Sequence, residues 1–181
     1  MTRPTILLSS LDMRALMSPA DYLSAVEGGF IAARKGRASS PHPMHIPVPL
    51  GGFHAKGAHI NVERGYVALK LNGNLPGNSE RTGLPTIQGA LLLCDAETGA
   101  VLSLMDWIEI TLRRTAAASA LAGRHLALPK SQTLLICGSG QQAEPHVEAL
   151  MGVLPIRRVF AWDIDRRRAS LFAKQIADGL G

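Results

Sequence analysis

The stretch Gly138-Ser-Gly-Gln-Gln-Ala143 holds the residue types that let a backbone close around a phosphate. Gly138 permits a tight turn, Gly140 lets the chain approach a pyrophosphate, and Ala143 keeps the following helix close to the preceding strand. Ser139, Gln141 and Gln142 fill the turn. There the backbone N–H groups of a helix start matter more to the phosphates than the side chains do. One apolar run, Leu134–Cys137, enters the turn, and a second, Val159–Trp162, leads to Asp163. A carboxylate at that place accepts hydrogen bonds from an adenosine ribose and repels a 2′-phosphate, which favours NAD. Arg166, Arg167 and Arg168 pull the other way, so NADP remains possible. Strand, turn, helix, strand and acid in this order describe a dinucleotide site, against the blander reading of a strand–turn–helix with no ligand.

Those residues need elements to hold them. Thr5–Leu8 reads as a short strand. Ser18 caps a helix that has Pro19 at its first position and Asp21 in its first turn. Tyr22, Val26, Phe30 and Ala33 recur near helical spacing as a buried stripe, and Gly36 ends the helix. Pro41, Pro43, Pro47 and Pro49 make residues 38–52 loop-like. Extended segments are expected at Gly52–Lys56 and Tyr66–Leu71, with a surface loop over Asn72–Pro85. Ile87–Asp95 and Ala100–Asp106 form a hairpin through Ala96–Gly99. Trp107–His125 reads as a long helix and Leu126–Ser131 as a linker.

Then come a strand at 133–137, a helix at 140–151, a strand at 157–163 and a helix at 166–178. Ala169, Phe172, Ala173 and Ile176 share one face of the last helix. Pro145 falls in the second turn if its helix starts near Gln141, so that helix either starts later or is distorted there. The expected class is α/β. An N-terminal α+β domain spans 1–128, and an incomplete doubly wound (Rossmann) domain spans 129–181, with two strands where about six are usual.

The 181 residues carry a net charge of +5, with 46% hydrophobic and 4% aromatic residues, so a base-stacking nucleic-acid surface is not expected. Arg166–Arg168 reads as a solvated face. Cys94 and Cys137 lie in apolar runs and read as buried, reduced thiols. No stretch of about 18 apolar residues argues for a membrane span. The N-terminus from Met1 lacks the core of an export signal, and a cytoplasmic location is expected. No metal site is expected, because only His42 and His45 are closely spaced and they sit among prolines.

Five segments stand in a telling order: Lys70-Leu-Asn-Gly-Asn-Leu-Pro-Gly-Asn78, Gly83-Leu-Pro-Thr-Ile-Gln88, Asp95-Ala-Glu-Thr-Gly99, Ile110-Thr-Leu-Arg-Arg-Thr-Ala-Ala-Ala118 and Gly138-Ser-Gly-Gln-Gln142. Together they resemble the ornithine cyclodeaminase/μ-crystallin family over essentially the whole chain. The resemblance implies an N-terminal domain that dimerises and contacts substrate, followed by a Rossmann domain for NAD(H). It implies hydride transfer at the α-carbon of an amino acid or its imine. Cyclodeaminase, alanine-type dehydrogenase and ketimine reductase stay open, as does a non-catalytic, crystallin-like binding protein or an inactive fragment.

By this resemblance Lys70 and Arg114 match the residues for the substrate carboxylate, and Arg114 is also counted at the cofactor. A bidentate guanidinium and a point-charge ammonium suit that task. Their blander readings are a solvated strand-end charge for Lys70 and an ion pair with Glu109 or Asp106 for Arg114. Arg113, on another helix face, reads as a surface residue. Thr86 and Thr115 match positions that touch the cofactor; the bland reading is packing, with the hydroxyl bonded back to the chain.

Where the family carries an arginine before the lysine strand, this chain has Pro43-Met44-His45. His45 or His42 could stand in only in part, since an imidazole makes no bidentate contact, and the blander reading of either is a surface loop residue; His54 or Lys56 is a further candidate near the substrate. The general acid/base, an Asp of the second Rossmann half, is expected beyond residue 181. The apolar runs Ala90–Cys94 and Val101–Met105 call for a second subunit, matching the homodimer that the family forms.

Overall fold

The computed structural model describes residues 4–179, so the reading of the N-terminus from Met1 lies partly outside the described residues. The chain makes two compact units. One takes the residues up to Leu16 with Gly28–Ile110, and the other takes Met17–Glu27 with the residues from Thr111 onward.

The first unit is built on a seven-stranded sheet. Its elements are β1 (Ile6–Leu8), α1 (Ser10–Leu16), the end of α2 (Pro19–Arg34), β2 (Ala38–Ser39), β3 (Met44–Val48), β4 (Gly51–Asn61), β5 (Gly65–Asn74), α3 (Asn78–Thr82), β6 (Ile87–Asp95) and β7 (Val101–Asp106). The order is β1-β7-β6-β5-β4-β2, and β3 also pairs with β4. β1 joins β7 in parallel, and the other neighbours are antiparallel.

The long hairpins follow from alternation. In β5, Val67, Leu69 and Leu71 stand on one face, while Tyr66, Ala68, Lys70 and Asn72 stand on the other, half-buried. Successive side chains of a strand point to opposite faces, and directly paired residues share one. Lys70 therefore lies in a row with Lys56, Leu91, Met105 and Leu8. Met105 is buried. On the opposite face, Leu7, Leu104, Leu92 and Leu69 form a matching row. Three of these leucines are exposed: Leu7 at 73%, Leu69 at 45% and Leu104 at 40%.

Several expectations change here. Residues 38–52 are not a loop, because Met44–Val48 pairs along β4 with Pro47 opposite Gly52. An edge strand has no ladder partner on one side, so a proline that lacks an N–H is accommodated there. β4 and β5 extend well beyond Gly52–Lys56 and Tyr66–Leu71. Asn72–Pro85 is not one loop either: β5 runs to Asn74, and Asn78–Thr82 is a helical turn between Gly77 and Gly83. In α2 the buried side chains are Tyr22 and Ala32, while Phe30 and Ala33 are exposed. The α2 cap is as expected: the Ser18 N–H donates to Asp21 Oδ2 at 2.9 Å, and the Asp21 N–H donates to Ser18 Oγ at 3.3 Å. The Ile87–Asp95 and Val101–Asp106 hairpin and the long helix also form as expected.

The second unit takes the start of α2, α4 (Trp107–Leu126) from Thr111, β8 (Thr133–Cys137), α5 (Ala143–Met151), β9 (Arg158–Trp162) and α6 (Arg166–Gly179). β8 and β9 pair in parallel from Thr133↔Arg158 to Cys137↔Trp162. Ala143, Val147, Phe172 and Ile176 form the core against Leu134, Ile136, Val159 and Ala161. Ala173 is exposed and does not join the expected face. Both cysteines are free thiols, but Cys137 is exposed and Cys94 half-buried, which corrects the buried-thiol expectation. Cys137 falls on the uncovered face of β8 with Leu135, at a position the apolar run alone does not distinguish.

No helix among the described residues is long and apolar enough to cross a membrane. Among the same residues no group of three or more His, Cys, Asp or Glu could hold a metal ion.

Candidate functional site

The glycine turn leaves β8 at Gly138, whose φ of 98° suits a residue without Cβ. Its N–H donates to the Trp162 carbonyl at 2.7 Å, tying the turn to the end of β9. Asp163 is the residue just after β9, one beyond the strand position expected for it. Its Oδ2 accepts the Ser139 N–H at 2.7 Å, and its Oδ1 accepts the Asp165 N–H at 3.0 Å. The Ser139 N–H holds the Asp163 carboxyl below the usual carboxylate range; the Asp165 N–H and the Arg168 charge add to this, while partial burial opposes it.

The helix that follows begins at Ala143, later than expected. Pro145 therefore sits in the first turn, where its missing N–H would have had no helical partner in any case. Gln142 stands at the cap position without a side-chain cap. Its Oε1, and the Oγ of Ser139, are buried with no hydrogen-bond partner among the described residues. Buried polar atoms are nearly always paired, so these two mark a place where a ligand's polar groups belong.

A cleft of about 370 Å³ opens at the turn, lined by Ser139, Gly140, Gln141, Glu144, Arg168 and Gln175 among others. A methyl group placed on Gly140 would meet nothing within 4 Å, so the backbone there is open to approach. The Gln175 amide donates to Glu144 Oε2 at 2.8 Å, linking α6 to α5 beside the cleft. A second cleft, of about 550 Å³, lies along Asp163 with Trp162, Ile164, Arg166, Ala169 and Ser170. An open glycine turn, a helix N-terminus and the orphaned Ser139 hydroxyl fit a pyrophosphate, and the carboxylate beside them fits a ribose.

Glu144 and Gln175 were not singled out as site residues from the sequence, and Arg168 was weighed only with Arg166 and Arg167 as a group that could receive a 2′-phosphate. A signal existed for two of them: Arg168, Leu171, Phe172 and Gln175 follow i, i+3, i+4, i+7 spacing on α6, and all line the cleft.

The remaining sequence candidates are placed as follows. Lys70 lies inside β5, not at a strand end, with its ammonium 5.0 Å from the centre of the buried Trp107 ring. That distance suits a cation–π contact. Thr86 precedes β6 and is half-buried; its carbonyl accepts the Leu75 N–H at 2.9 Å. Arg114 is exposed on α4 and makes no ion pair among the described residues. Glu109, weighed as its partner, is buried and accepts from Arg14 Nε at 2.9 Å. Asp106, also weighed, caps the Ile108 N–H at 2.7 Å. Thr115 donates its hydroxyl to the Thr111 carbonyl at 2.6 Å. Arg113 is half-buried and ion-paired to Glu148, which corrects its reading as a surface residue. Gly138, Ser139, Gly140, Gln141, Gln142 and Asp163 thus come together in the second unit. Lys70 and Thr86 belong to the first unit, Arg114 and Thr115 to the second.

The chain is similar to known proteins in sequence and in fold. The chain is 33% identical to an alanine dehydrogenase of Archaeoglobus fulgidus, over 96% of this chain and 53% of that protein. It is 36% identical to an L-lysine cyclodeaminase of Streptomyces rapamycinicus, over 86% of this chain and 46% of that one. Among solved structures, a Thermococcus litoralis Δ1-pyrroline-2-carboxylate reductase in complex with NADH and L-proline superposes with a TM-score of 0.89, at 32% identity, over 98% of this chain and 55% of that one. An archaeal alanine dehydrogenase dimer with bound NAD also gives 0.89, at 33% identity, over 96% of this chain and 53% of that one. The chain thus spans about half the length of the relatives it matches. The ornithine cyclodeaminase/mu-crystallin family pattern matches residues 3–180, and with the glycine turn and its acid in place this chain belongs to that family.

Proposed function

We propose that the chain is part of an NAD(P)-dependent enzyme that moves a hydride at the α-carbon of an amino acid or its imine. The observation that carries this is the glycine turn, open at Gly140 and joined to Asp163 through the Ser139 N–H. Gly138, Ser139, Gly140, Gln141 and Gln142 hold the pyrophosphate, mainly through N–H groups at the start of α5. Asp163 takes the adenosine ribose, with NAD the preferred form and NADP possible. Its Oδ2 keeps a lone pair after accepting the Ser139 N–H, so the acid can hold the turn and a ribose hydroxyl together. The bound nicotinamide supplies the hydride acceptor or donor.

Lys70 and Arg114 hold the substrate carboxylate, and Thr86, Thr115 and Arg114 meet the cofactor. Support for these roles is the family match together with the chemistry of each side chain. Lys70 on the covered face of β5, steadied by the Trp107 ring, suits a fixed point charge. Arg114, exposed, keeps its guanidinium available for a bidentate contact. Residues 1–128 serve as the substrate and dimerisation domain, and 129–181 as the first half of the Rossmann domain. The finer activity we assign is amino-acid deamination of the cyclodeaminase type, by a homodimer. Two free thiols suit a reducing, cytoplasmic compartment.

The test follows absorbance at 340 nm in the protein that carries this chain, with NAD+ and a panel of amino acids, and with NADH and cyclic imines. Lys70→Ala and Arg114→Ala should each lower kcat/KM by at least about tenfold, as expected for a lost charged hydrogen bond. Unchanged kinetics in both variants would sink the carboxylate assignment.

A further inference from the structure

Two arginines stand side by side on α4, and the fold engages one of them and presents the other. Arg113 and Arg114 lie in the part of that helix that belongs to the second unit, with the glycine turn. Successive residues of a helix point roughly 100° apart, so holding one of the two sets the direction of the other. Arg113 is held. Its guanidinium donates to the Glu148 carboxylate of α5, and both side chains are half-buried. Arg114 is exposed and makes no ion pair among the described residues.

What holds Arg113 is the helix that carries the phosphate end of the site. α5 starts at Ala143, directly after the turn residues, and Glu148 follows roughly 7.5 Å along its axis. The same two helices meet a second time. A Cβ built on Gly123 would stand 2.9 Å from Leu150 Cδ2, so the missing side chain at 123 makes room for that leucine against α4. Glu148 and Leu150 are close neighbours on α5, whereas Arg113 and Gly123 stand roughly 15 Å apart along α4. Contacts spaced widely on one helix and narrowly on the other resist both rolling and sliding of α4 against α5. Half burial also leaves the ion pair less screened than a fully exposed one. With its charge engaged by Glu148, Arg113 does not compete with Arg114 for an anion. One turn of α4 is fixed further by the Thr115 hydroxyl, which donates to the Thr111 carbonyl.

We propose that Arg113 and Glu148 are positioning residues, whose ion pair ties α4 to the phosphate-binding helix so that Arg114 and Thr115 meet a dinucleotide seated at the glycine turn. This rests on the reading that Arg114 and Thr115 meet the cofactor, here at its nicotinamide side. Neither member of the pair acts on the dinucleotide directly. The consequence is a division of the cofactor's binding. Its adenosine and phosphate half is held by the turn and Asp163 and does not need the pair. Its nicotinamide half needs Arg114 and Thr115 in place, and therefore needs the pair.

The experiment compares NADH binding, by fluorescence, with ADP binding, by calorimetry, in the protein that carries this chain. ADP has only the half met by the turn and Asp163. Glu148→Gln and Arg113→Met should each lower NADH affinity by about fivefold, while ADP affinity stays within about twofold of wild type. Both substitutions together should weaken NADH no further than either alone, and the reversed pair, Arg113→Glu with Glu148→Arg, should recover most of the loss. Arg114→Ala should weaken NADH at least as much and again spare ADP. Equal weakening of NADH and ADP by Glu148→Gln would overturn the positioning role, since the pair would then only hold the second unit together. If Arg114→Ala weakens NADH and Glu148→Gln does not, the positioning role is wrong while the reading of Arg114 stands. If Arg114→Ala leaves NADH binding unchanged, that reading fails and the positioning role with it. If ADP does not bind the wild-type protein, the glycine turn is no nucleotide site and both readings fall.

Discussion

Asp163 serves two structures at once. Its carboxylate closes the glycine turn by accepting the Ser139 N–H, and it borders the cleft where a ribose would lie. A carboxyl whose pKa is depressed by folding stabilises the fold fully above its unfolded value, near 3.9. That contribution is lost as pH falls below this value and through the lower folded pKa. Asp163→Asn should therefore flatten the acid limb of the stability curve, measured by urea unfolding between neutral pH and about pH 3. The same variant loses the charge that repels a 2′-phosphate, so the ratio of NAD to NADP affinity should fall by about tenfold, read by NADH and NADPH fluorescence. A ratio equal to wild type would remove Asp163 from the ribose site. The sequence puts Asp163 in the last position of its strand, and the structure has it one residue beyond that strand. Its bond to Ser139 is not legible in the sequence, since it depends on how β8 and β9 register. Nor is the choice of Arg113 over Arg114 for the ion pair with Glu148, which only the packing of α5 reveals.

At the level of elements, local chemistry reads well and pairing reads poorly. The Ser18–Asp21 cap, the Ile87–Asp106 hairpin, the long Trp107–Leu126 helix and the two parallel strands all carry short-range signals. β3 carries none, because four prolines in 38–52 look like a loop until β4 supplies a partner. The α2 stripe is misread for a related reason: helical spacing shows that Phe30 and Tyr22 share a side, but not where the covering elements stop. Pairing also explains Gly89. It lies in β6 opposite Asn72, and a Cβ there would stand 2.3 Å from the Leu71 carbonyl oxygen and 2.9 Å from the Asn72 Cα. Both are backbone atoms of β5, which cannot swing aside as a side chain would. Gly89→Ala should destabilise the protein by about 2 kcal/mol, the usual scale of overpacking, and urea unfolding would show it as a lower midpoint with unchanged slope. Because Asn72 neighbours His54 and Lys70 in the sheet, the close approach at Gly89 also fixes where that part of β5 sits. A midpoint within error of wild type would mean that the two strands separate there at no cost.

For the molecule as a whole, the open face of the first unit's sheet is the feature that one chain leaves unfinished. Leu7, Leu104, Leu92 and Leu69 run across four strands in register, and Val67, Leu71, Met44 and Ile46 are exposed on the same face. Single exposed leucines are ordinary, but a contiguous apolar face marks an interaction surface. A second copy of the same sheet is the occupant we propose, in keeping with the dimer described for the archaeal alanine dehydrogenase that this chain superposes on. Symmetry makes the consequence of a substitution large, because a two-fold interface meets the same residue from both sides. Burying a leucine fully is worth about 1.5–3 kcal/mol. Leu69→Glu removes two such contributions per dimer and places two carboxylates in an apolar contact. The expected outcome is a change from dimer to monomer in size-exclusion chromatography with light scattering at micromolar concentration. NAD+ binding at the glycine turn should persist in that variant, since the turn belongs to the second unit. A Leu69→Glu protein that still elutes as a dimer would show that the subunits meet through some other surface.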